Sequence, residues 1–418
     1  MPIERAPYLI YSEQVSTVNY LNQTGADVVA ILAPTKFAKL TSAGAIETET
    51  VEGETSTKWY EPTIAEDEIL IFNRYSVAEQ MVQSEELKKV LKDFFLENSY
   101  YSAQDNLGVN AVMVVPLPTG QNKPTVSEFL NAYKLLRKYR KVTAIGCVGI
   151  TAPQDIVVSL RQYLMEDQED GVLKIAYIKA PEKGANETIS AYATRIANLN
   201  QKHTEGTGQN TTTVDGANSS RIAFIEPKFY GTLFAKICNT QYYLEPGYLP
   251  INSISAGEFD VLSSEERDML CMSGLIFGED DVLLPTTTPR ICLGVSSAFG
   301  RPYSATAQNY DTRPSDALLH ARRNVDHHVR EILGILAQQL KRNETSVTLR
   351  YVKNEVMGYL EGELNKGSIQ AYEFNVVESS YNPYCLLVTG AIVPVNSTLA
   401  IEFSNYIGAP YTIASNYV

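Results

Sequence analysis

Hydrophobic residues fall into two kinds of run along this chain. Short, near-continuous apolar blocks occupy residues 28–32, 109–116, 144–150, 173–179 and 221–226. Stretches with apolar positions at helical spacing occupy residues 126–139, 154–166 and 188–199. Blocks that are apolar on both faces are typical of strands in a covered sheet. Strands that alternate with helices in this way predict a layered α/β domain with a largely parallel sheet.

Residues 76–98 carry a further helical pattern in front of the second apolar block. Ser84 can cap it with acidic residues in the first turn, and the apolar stripe consists of Leu87, Val90, Leu91, Phe94 and Phe95. Residues 41–66 are rich in Thr, Glu and Gly and lack periodicity, which predicts a surface hairpin or loop. Residues 201–220 are almost entirely polar and predict a long exposed loop.

The last hundred residues change in character. Residues 315–342 predict a long helix whose apolar face consists of Val325, Val329, Ile332, Leu333, Leu336 and Leu340. The opposite face is basic and consists of His320, Arg323, His327 and Arg330. A second helix is predicted over 346–366, with Gly367 as its stop. Strands are predicted over residues 369–377, 385–395 and 398–406.

Composition narrows the classes of protein that fit. A chain of 418 residues exceeds what one hydrophobic core usually serves, so two or three domains are expected. Its net charge of -13 makes it a poor general binder of nucleic acid. No apolar run is long enough to span a membrane and no signal-like start is visible, so we expect a soluble protein made inside the cell. The five scattered cysteines indicate reduced thiols.

Catalytic and metal-binding motifs do not stand out. The phosphate-loop, dinucleotide, zinc-protease and hydrolase-elbow patterns are missing. His327 and His328 are adjacent on one helix and cannot both ligate one metal. Cys271 and Cys292 lack a nearby base, so packing roles are favoured. The acidic clusters at 166–170 and 279–281 are interpreted as solvated turns. We therefore expect no cofactor, no metal and no active site.

The order of these pieces resembles the sheath subunit of contractile phage tails and related contractile injection machines. Four stretches carry the resemblance: residues 86–98 with Phe94-Phe95 before a hydrophobic strand, residues 246–252 with Pro246-Gly and Pro250-Ile-Asn, residues 262–276, and the C-terminal block. That block contains His320-Ala-Arg-Arg323, Leu364-Asn-Lys-Gly367, Ile369-Gln-Ala-Tyr372, Gly390-Ala-Ile-Val-Pro394 and Leu399-Ala-Ile-Glu-Phe403. The family's frequent Pro-Gly-Val-Tyr start is missing.

The resemblance implies a structural role. Sheath subunits stack as hexameric rings around an inner tube and contract from a metastable extended state, in contact with tube, baseplate and tail terminator proteins. Terminal arms add strands to a small sheet of a neighbouring subunit. The arm candidates are Tyr8, Leu9, Ile10 and Tyr11 within residues 7–20, and Leu399, Ile401, Phe403 and Tyr406 within residues 399–413. The basic face of the long C-terminal helix is a candidate contact with an acidic inner tube.

The predicted organisation is α+β with an inserted α/β domain. Residues 1–25 form an N-terminal arm, 26–125 a first outer α/β portion, 126–300 the inserted α/β domain, and 301–418 a C-terminal sheath-type domain with an arm. Location in the tail of a virion follows from the resemblance. Two alternatives remain open: another structural virion protein, such as a tube or capsid component, and an α/β-fold hydrolase that uses a Cys or Asp nucleophile.

Overall fold

In the computed structural model, the described residues run from Val29 to Val395. The gaps within this range are 43–44, 52–53, 66–67, 106–108, 110, 121–123, 140, 151–152, 201–202, 206–211, 215–218, 220, 245, 247–250, 255–257, 260, 280–289, 293–317, 340–344, 379 and 381–385. The predicted N-terminal arm, the predicted strand at 398–406 and the C-terminal arm lie outside the described residues.

One sheet of eight strands organises the larger part of the chain. Across the sheet the strands are Arg290–Cys292 (β14), Leu275–Glu279 (β13), Ile222–Ile225 (β12), Ile175–Lys179 (β9), Ala144–Cys147 (β8), Val29–Pro34 (β1), Val112–Leu117 (β7) and Leu70–Phe72 (β6). The six inner strands are parallel, whereas β6 and β14 pair antiparallel with their neighbours. In chain order the described sheet starts with β1. Strands β6 and β7 follow on one side of β1, and strands β8, β9, β12, β13 and β14 then extend the sheet on its other side.

Helices cover both faces of this sheet. They are Tyr75–Met81 (α1), Glu85–Asp105 (α2), Val126–Arg137 (α3), Pro153–Glu169 (α4), Ile189–Asn200 (α5), Tyr230–Asn239 (α6) and Ser264–Ser273 (α7). Successive residues of β1 point to opposite faces, so Val29 and Ile31 join a core with α1, α2 and α6. Ala30 and Leu32 join a second core with α3, α4, α5 and α7. The doubly covered sheet explains why its strands are apolar throughout.

The C-terminal part of the chain has a core of its own. It contains two long helices, Leu319–Gln339 (α8) and Thr345–Lys366 (α9), and an antiparallel pair of strands, Ile369–Glu378 (β15) and Leu386–Pro394 (β16). Val352, Val356 and Leu360 of α9 pack against Ile369 and Val376 of β15. Gly367 adopts a positive φ of 73°, which suits its predicted role as the stop of α9.

Small hairpins occupy two of the segments predicted as loops. Phe37–Ala38 (β2) pairs with Trp59–Tyr60 (β5), and Thr48–Val51 (β3) pairs with Glu54–Thr57 (β4), which confirms a hairpin in the 41–66 region. His203–Glu205 (β10) pairs with Thr212–Val214 (β11) within the polar stretch 201–220. None of the helices in the described ranges combines the length and apolarity that crossing a membrane requires.

Most predicted elements are confirmed, and the mixed α and β composition with a mainly parallel sheet agrees with the coarse fold class. The prediction of one continuous helix over residues 76–98 is wrong, because the structure has two helices there: α1 ends at Met81 and α2 begins at Glu85. Val82 forms a bridge with Phe37 instead, and Ser84 Oγ then accepts a hydrogen bond from the Leu87 N–H, as predicted. The predicted boundary at residue 125 falls within the large sheet, because β1 pairs with strands from both sides of it.

Helices α2 and α6 approach each other closely at Gly231. A Cβ atom at this position would lie 2.4 Å from the main-chain oxygen of Val90. We expect Gly231→Ala to lower the free energy of unfolding by about 1–3 kcal/mol, because an added methyl overpacks the contact. Denaturant unfolding followed by circular dichroism measures this change.

Gly334→Ala in α8 is the matched control, because nothing lies within 4 Å of a Cβ atom there. Alanine removes the conformational cost of a helical glycine, so we expect this variant to gain about 0.5–1 kcal/mol. Equal stability of Gly231→Ala and the parent protein would contradict the close approach of α2 and α6.

Candidate functional site: the junction of α8 with the sheet

Helix α8 joins the two parts of the chain because it contributes to both cores. Leu319, its first residue, belongs to a core of the sheet domain, whereas Ile332 and Leu336 pack into the C-terminal core. The helix runs beside Leu173 and Arg221, which lie just before β9 and β12. We define the junction as the contacts that α8 makes with this amino-terminal edge of the sheet and with the segment that follows α6.

A buried ion pair lies at the centre of the junction. Arg221 Nη1 is 2.7 Å from Asp326 Oδ2, and Arg221 Nη2 is 3.0 Å from Asp326 Oδ1. The two side chains are 2% and 3% exposed. Arg221 also donates to Gln168 Oε1 at 2.7 Å and to the main-chain oxygen of Lys174 at 3.3 Å. Asp326 also has Arg322 of its own helix 3.6 Å away. The two-pronged contact with Arg221 forms only when α8 is docked, so it favours one position of the helix.

The basic face of α8 points into the molecule. His320 is 1% and Arg323 2% exposed, so these two side chains are covered by the chain itself. Contact of this face with an inner tube stays a prediction. Arg323 Nη2 donates to the main-chain oxygen of Thr240, the C-cap of α6, and Arg330 Nη1 donates to Leu173 O at 3.1 Å. Carbonyl groups at a helix C-terminus attract cations, which is the physical reason for this burial.

The other two residues of that face, His327 and Arg330, are half-buried. The His327 ring stacks on the Tyr242 ring, with centroids 3.6 Å apart and an angle of 13° between the ring planes. Arg323, His327 and Arg330 therefore lie at the junction, and His320 is buried near the start of α8.

Tyr242 connects the sheet domain to α9. Its hydroxyl donates to Glu363 Oε2 at 2.8 Å, and the same carboxylate accepts from Lys366 Nζ and from Ser368 Oγ, both at 2.6 Å. Burial alone would raise the pKa of Glu363, but these hydrogen bonds outweigh it and lower the pKa to about 2. Glu363 therefore remains an anion across the ordinary pH range and holds three groups together.

Sequence reasoning missed Arg221, Asp326, Tyr242 and Glu363. Arg221 stands immediately before the apolar strand β12, and Asp326 interrupts the apolar and basic faces of α8. A charge in such a position signals a buried partner, but the sequence does not say which one. The predicted arm residues at the two termini lie outside the described residues, so the structure brings none of them together with the junction.

The structure describes only some of the groups considered for catalysis or metal binding. Cys271 is half-buried in α7, whereas the side chain of Cys292 and the acidic residues 279–281 lie outside the described side chains. Asp167, predicted to lie in a solvated turn, is fully buried, accepts from Tyr133 Oη at 2.6 Å and pairs with Arg137. Within the described part of the chain, no group of three His, Cys, Asp or Glu residues could hold a metal ion.

A cavity of about 670 Å³ lies at the opposite, carboxyl-terminal edge of the sheet. In open α/β sheets this edge is where ligands generally bind. Its charged lining residues are Glu86, Asp93, Glu182, Glu226, Lys89, Lys179, Lys183 and Lys228. Carboxylates and ammonium groups are equal in number, and Lys179 is already paired with Glu86 at 2.5 Å. The lining therefore indicates no preference for an anion or a cation.

Comparisons with protein-family models and with curated proteins found no match to this chain. The junction and the C-terminal strands are thus interpreted from their own geometry and from the sequence resemblance.

We expect Arg221→Met or Asp326→Asn alone to lower the free energy of unfolding by about 3–5 kcal/mol, because each leaves one charged or polar group buried without its partner. The double variant Arg221→Met/Asp326→Leu should recover part of that loss, since both members of the central pair are removed. Recovery is incomplete because Arg322, which lies 3.6 Å from Asp326 Oδ1, loses that partner. Urea unfolding of all three variants measures the effect.

Glu85→Gln is the control, because Glu85 pairs with Lys88 at 2.7 Å but is 84% exposed. Its effect should stay within about 0.5 kcal/mol. Single junction variants no less stable than this control would show that the ion pair does not hold α8 to the sheet.

Proposed function

We propose that this protein is a structural subunit of a contractile tail sheath. In this proposal it assembles as stacked hexameric rings around an inner tube, within the tail of a virion, and has no catalytic role. Its partners would be further copies of itself, the tube protein, and baseplate and tail terminator proteins. The ordered resemblance between residues 76 and 406 supports the proposal.

The observation that carries the proposal is the β15–β16 pair. Strands of ten and nine residues form a sheet that contains only two members among the described residues. Its inner face packs on α9, and each strand has an outer edge with main-chain groups that can accept a further strand. Two-stranded sheets are marginal by themselves, so an added strand would stabilise this one.

The added strand fits the alternating pattern of the terminal segments. Leu399, Ile401 and Phe403 alternate with polar or small residues, as a strand with one buried face requires. Addition of this strand to β15–β16 of the next copy is a head-to-tail contact. Such a contact need not close, and repetition then produces a helical assembly rather than a fixed oligomer.

Contraction in this proposal uses no nucleotide. The energy is stored in a metastable set of contacts between subunits and is released when the assembly relaxes to a packing with more buried surface. The core of each subunit remains intact, because the sheet domain and the C-terminal part are joined at the junction by the Arg221–Asp326 pair.

Negative-stain electron microscopy of the purified protein at moderate salt tests the assembly. We expect hollow cylinders with regular striations, either from the protein alone or after co-expression with a tube protein. Protein that stays monomeric under both conditions would contradict the proposal.

Substitutions in the C-terminal arm test its mechanism. We expect Ile401→Asp/Phe403→Asp to abolish cylinders, because two carboxylates would be placed on the buried face of the added strand. The matched control is Glu402→Gln/Ser404→Asp, which changes the other face of the same segment and should assemble. Circular dichroism and gel filtration establish that both proteins are folded. Equal assembly of the two variants would exclude strand addition by this segment.

A further inference from the structure

Two adjacent imidazoles lie where three elements of the junction meet. His327 stacks on Tyr242 from the segment after α6. His328 Nδ1 lies 2.7 Å from the hydroxyl of Tyr359 on α9. Tyr242 also meets the His328 ring edge to face, with centroids 5.4 Å apart. The pair on α8 therefore contacts the sheet domain on one side and the C-terminal part on the other.

The surroundings of His328 suit a neutral ring and do not suit a cation. An imidazolium carries two N–H donors and needs two acceptors. Tyr359 Oη is one available partner, but Nε2 is buried and has no hydrogen-bond partner in the described part of the chain. Protonation would leave a buried charged donor unsatisfied, which is among the costliest changes a packed interior can undergo.

The surroundings of His327 carry mostly positive charge. Arg323 and Arg330 lie one helical turn before and after it on α8. The titratable and charged groups of the elements packed around the two rings are Arg323, Asp326, Arg330 and Glu331 on α8, Tyr359, Glu363 and Lys366 on α9, and Tyr242 and Tyr243 after α6. Asp326 already pairs with Arg221, and Glu363 already binds three donors.

These surroundings lower the pKa of both imidazoles. Burial is the main cause for His327, with Arg330, His328 and Arg323 adding to it and Glu363 opposing it, and its pKa falls to about 3. Burial is again the main cause for His328, with Lys366 adding to it and Glu363 opposing it, and its pKa falls to about 4. Both rings are therefore neutral in the closed junction at pH 7.

We propose that His327 and His328 form an acid-operated release in the junction: when the two rings gain protons, the Tyr242 and Tyr359 contacts open and α8 loosens from the sheet domain. Most of each core lies outside α8, which contributes Leu319 to one core of the sheet domain and Ile332 and Leu336 to the C-terminal core. The release is a property of the folded chain and does not depend on assembly into a sheath.

The sign of the pH dependence follows from linkage. In an opened junction the rings regain the ordinary pKa of 6.5, above their pKa in the closed form. The closed form is therefore fully favoured above pH 6.5 and loses stability as the pH falls below that value. Each ring contributes about a tenfold rise in the opening equilibrium constant per pH unit, so the pair contributes about a hundredfold between pH 5.5 and 4.5.

Hydrogen exchange measured by mass spectrometry tests the release. Peptides covering residues 240–243 and 319–339 report the opening equilibrium after correction for the intrinsic exchange rate. His327→Phe keeps an aromatic ring on Tyr242, and His328→Gln keeps a hydrogen-bonding group beside Tyr359, while neither titrates. The measured quantity is the rise in the opening equilibrium constant for each pH unit of acidification. We expect this rise to be about tenfold smaller in each single variant than in the wild type, and about a hundredfold smaller in the double variant.

His203→Gln is the matched control, because it removes a histidine that lies in β10 and leaves the junction intact. It should retain the full wild-type dependence. Carboxylates that titrate in the same range contribute equally to all five proteins, so only the differences between them matter. A double variant with the wild-type pH dependence, or a wild type whose junction does not open down to pH 4.5, would overturn the proposal.

A second measurement does not rely on the variants folding well. Proton NMR titration of the wild-type histidines should show the His327 and His328 rings still neutral at pH 5. If both rings titrate near pH 6.5, the imidazoles are not held neutral by the junction and the proposal fails.

Discussion

The buried pair of Arg221 and Asp326 is the interaction on which the arrangement of this chain depends. Two charges removed from water are tolerable only while each has the other, so the pair determines where α8 can lie. Once α8 is placed, its apolar side receives α9 and the β15–β16 strands, and its basic side meets main-chain oxygens at the ends of other elements. One helix thus satisfies two very different surfaces, one by burial of hydrocarbon and one by hydrogen bonds to carbonyl groups.

The strands and most helices were predictable because their signal is local. A strand covered on both faces must be apolar throughout, and β1, β7, β8, β9 and β12 all show this in their own residues. The break between α1 and α2 was not predictable, because Val82 leaves the helix to pair with Phe37, a distant residue. That one sheet includes strands from both sides of residue 125 was not predictable for a related reason, because an apolar strand does not show which other strand it pairs with.

The junction illustrates the same limit for a site. Periodicity placed His320, Arg323, His327 and Arg330 on one face of α8, and this is correct. It gave no means to decide whether water, another protein or this chain covers that face. The acceptors for Arg323 and Arg330 are main-chain oxygens 83 and 157 residues away, which carry no side-chain signature. When a basic helix face occurs on an acidic chain, contact with main-chain oxygens of the same chain is therefore the first interpretation to consider.

The large sheet and the β15–β16 pair differ in the strands that form their edges. The large sheet finishes on each side with an antiparallel strand of only three residues, β6 and β14, which offers little backbone to a passing chain. The β15–β16 pair exposes strands about three times as long, with Val377, Leu387 and Val393 on its outer face. Among the described residues, long strand edges therefore lie near the C-terminal end of the chain, which makes that end the more prone to aggregation through strand pairing.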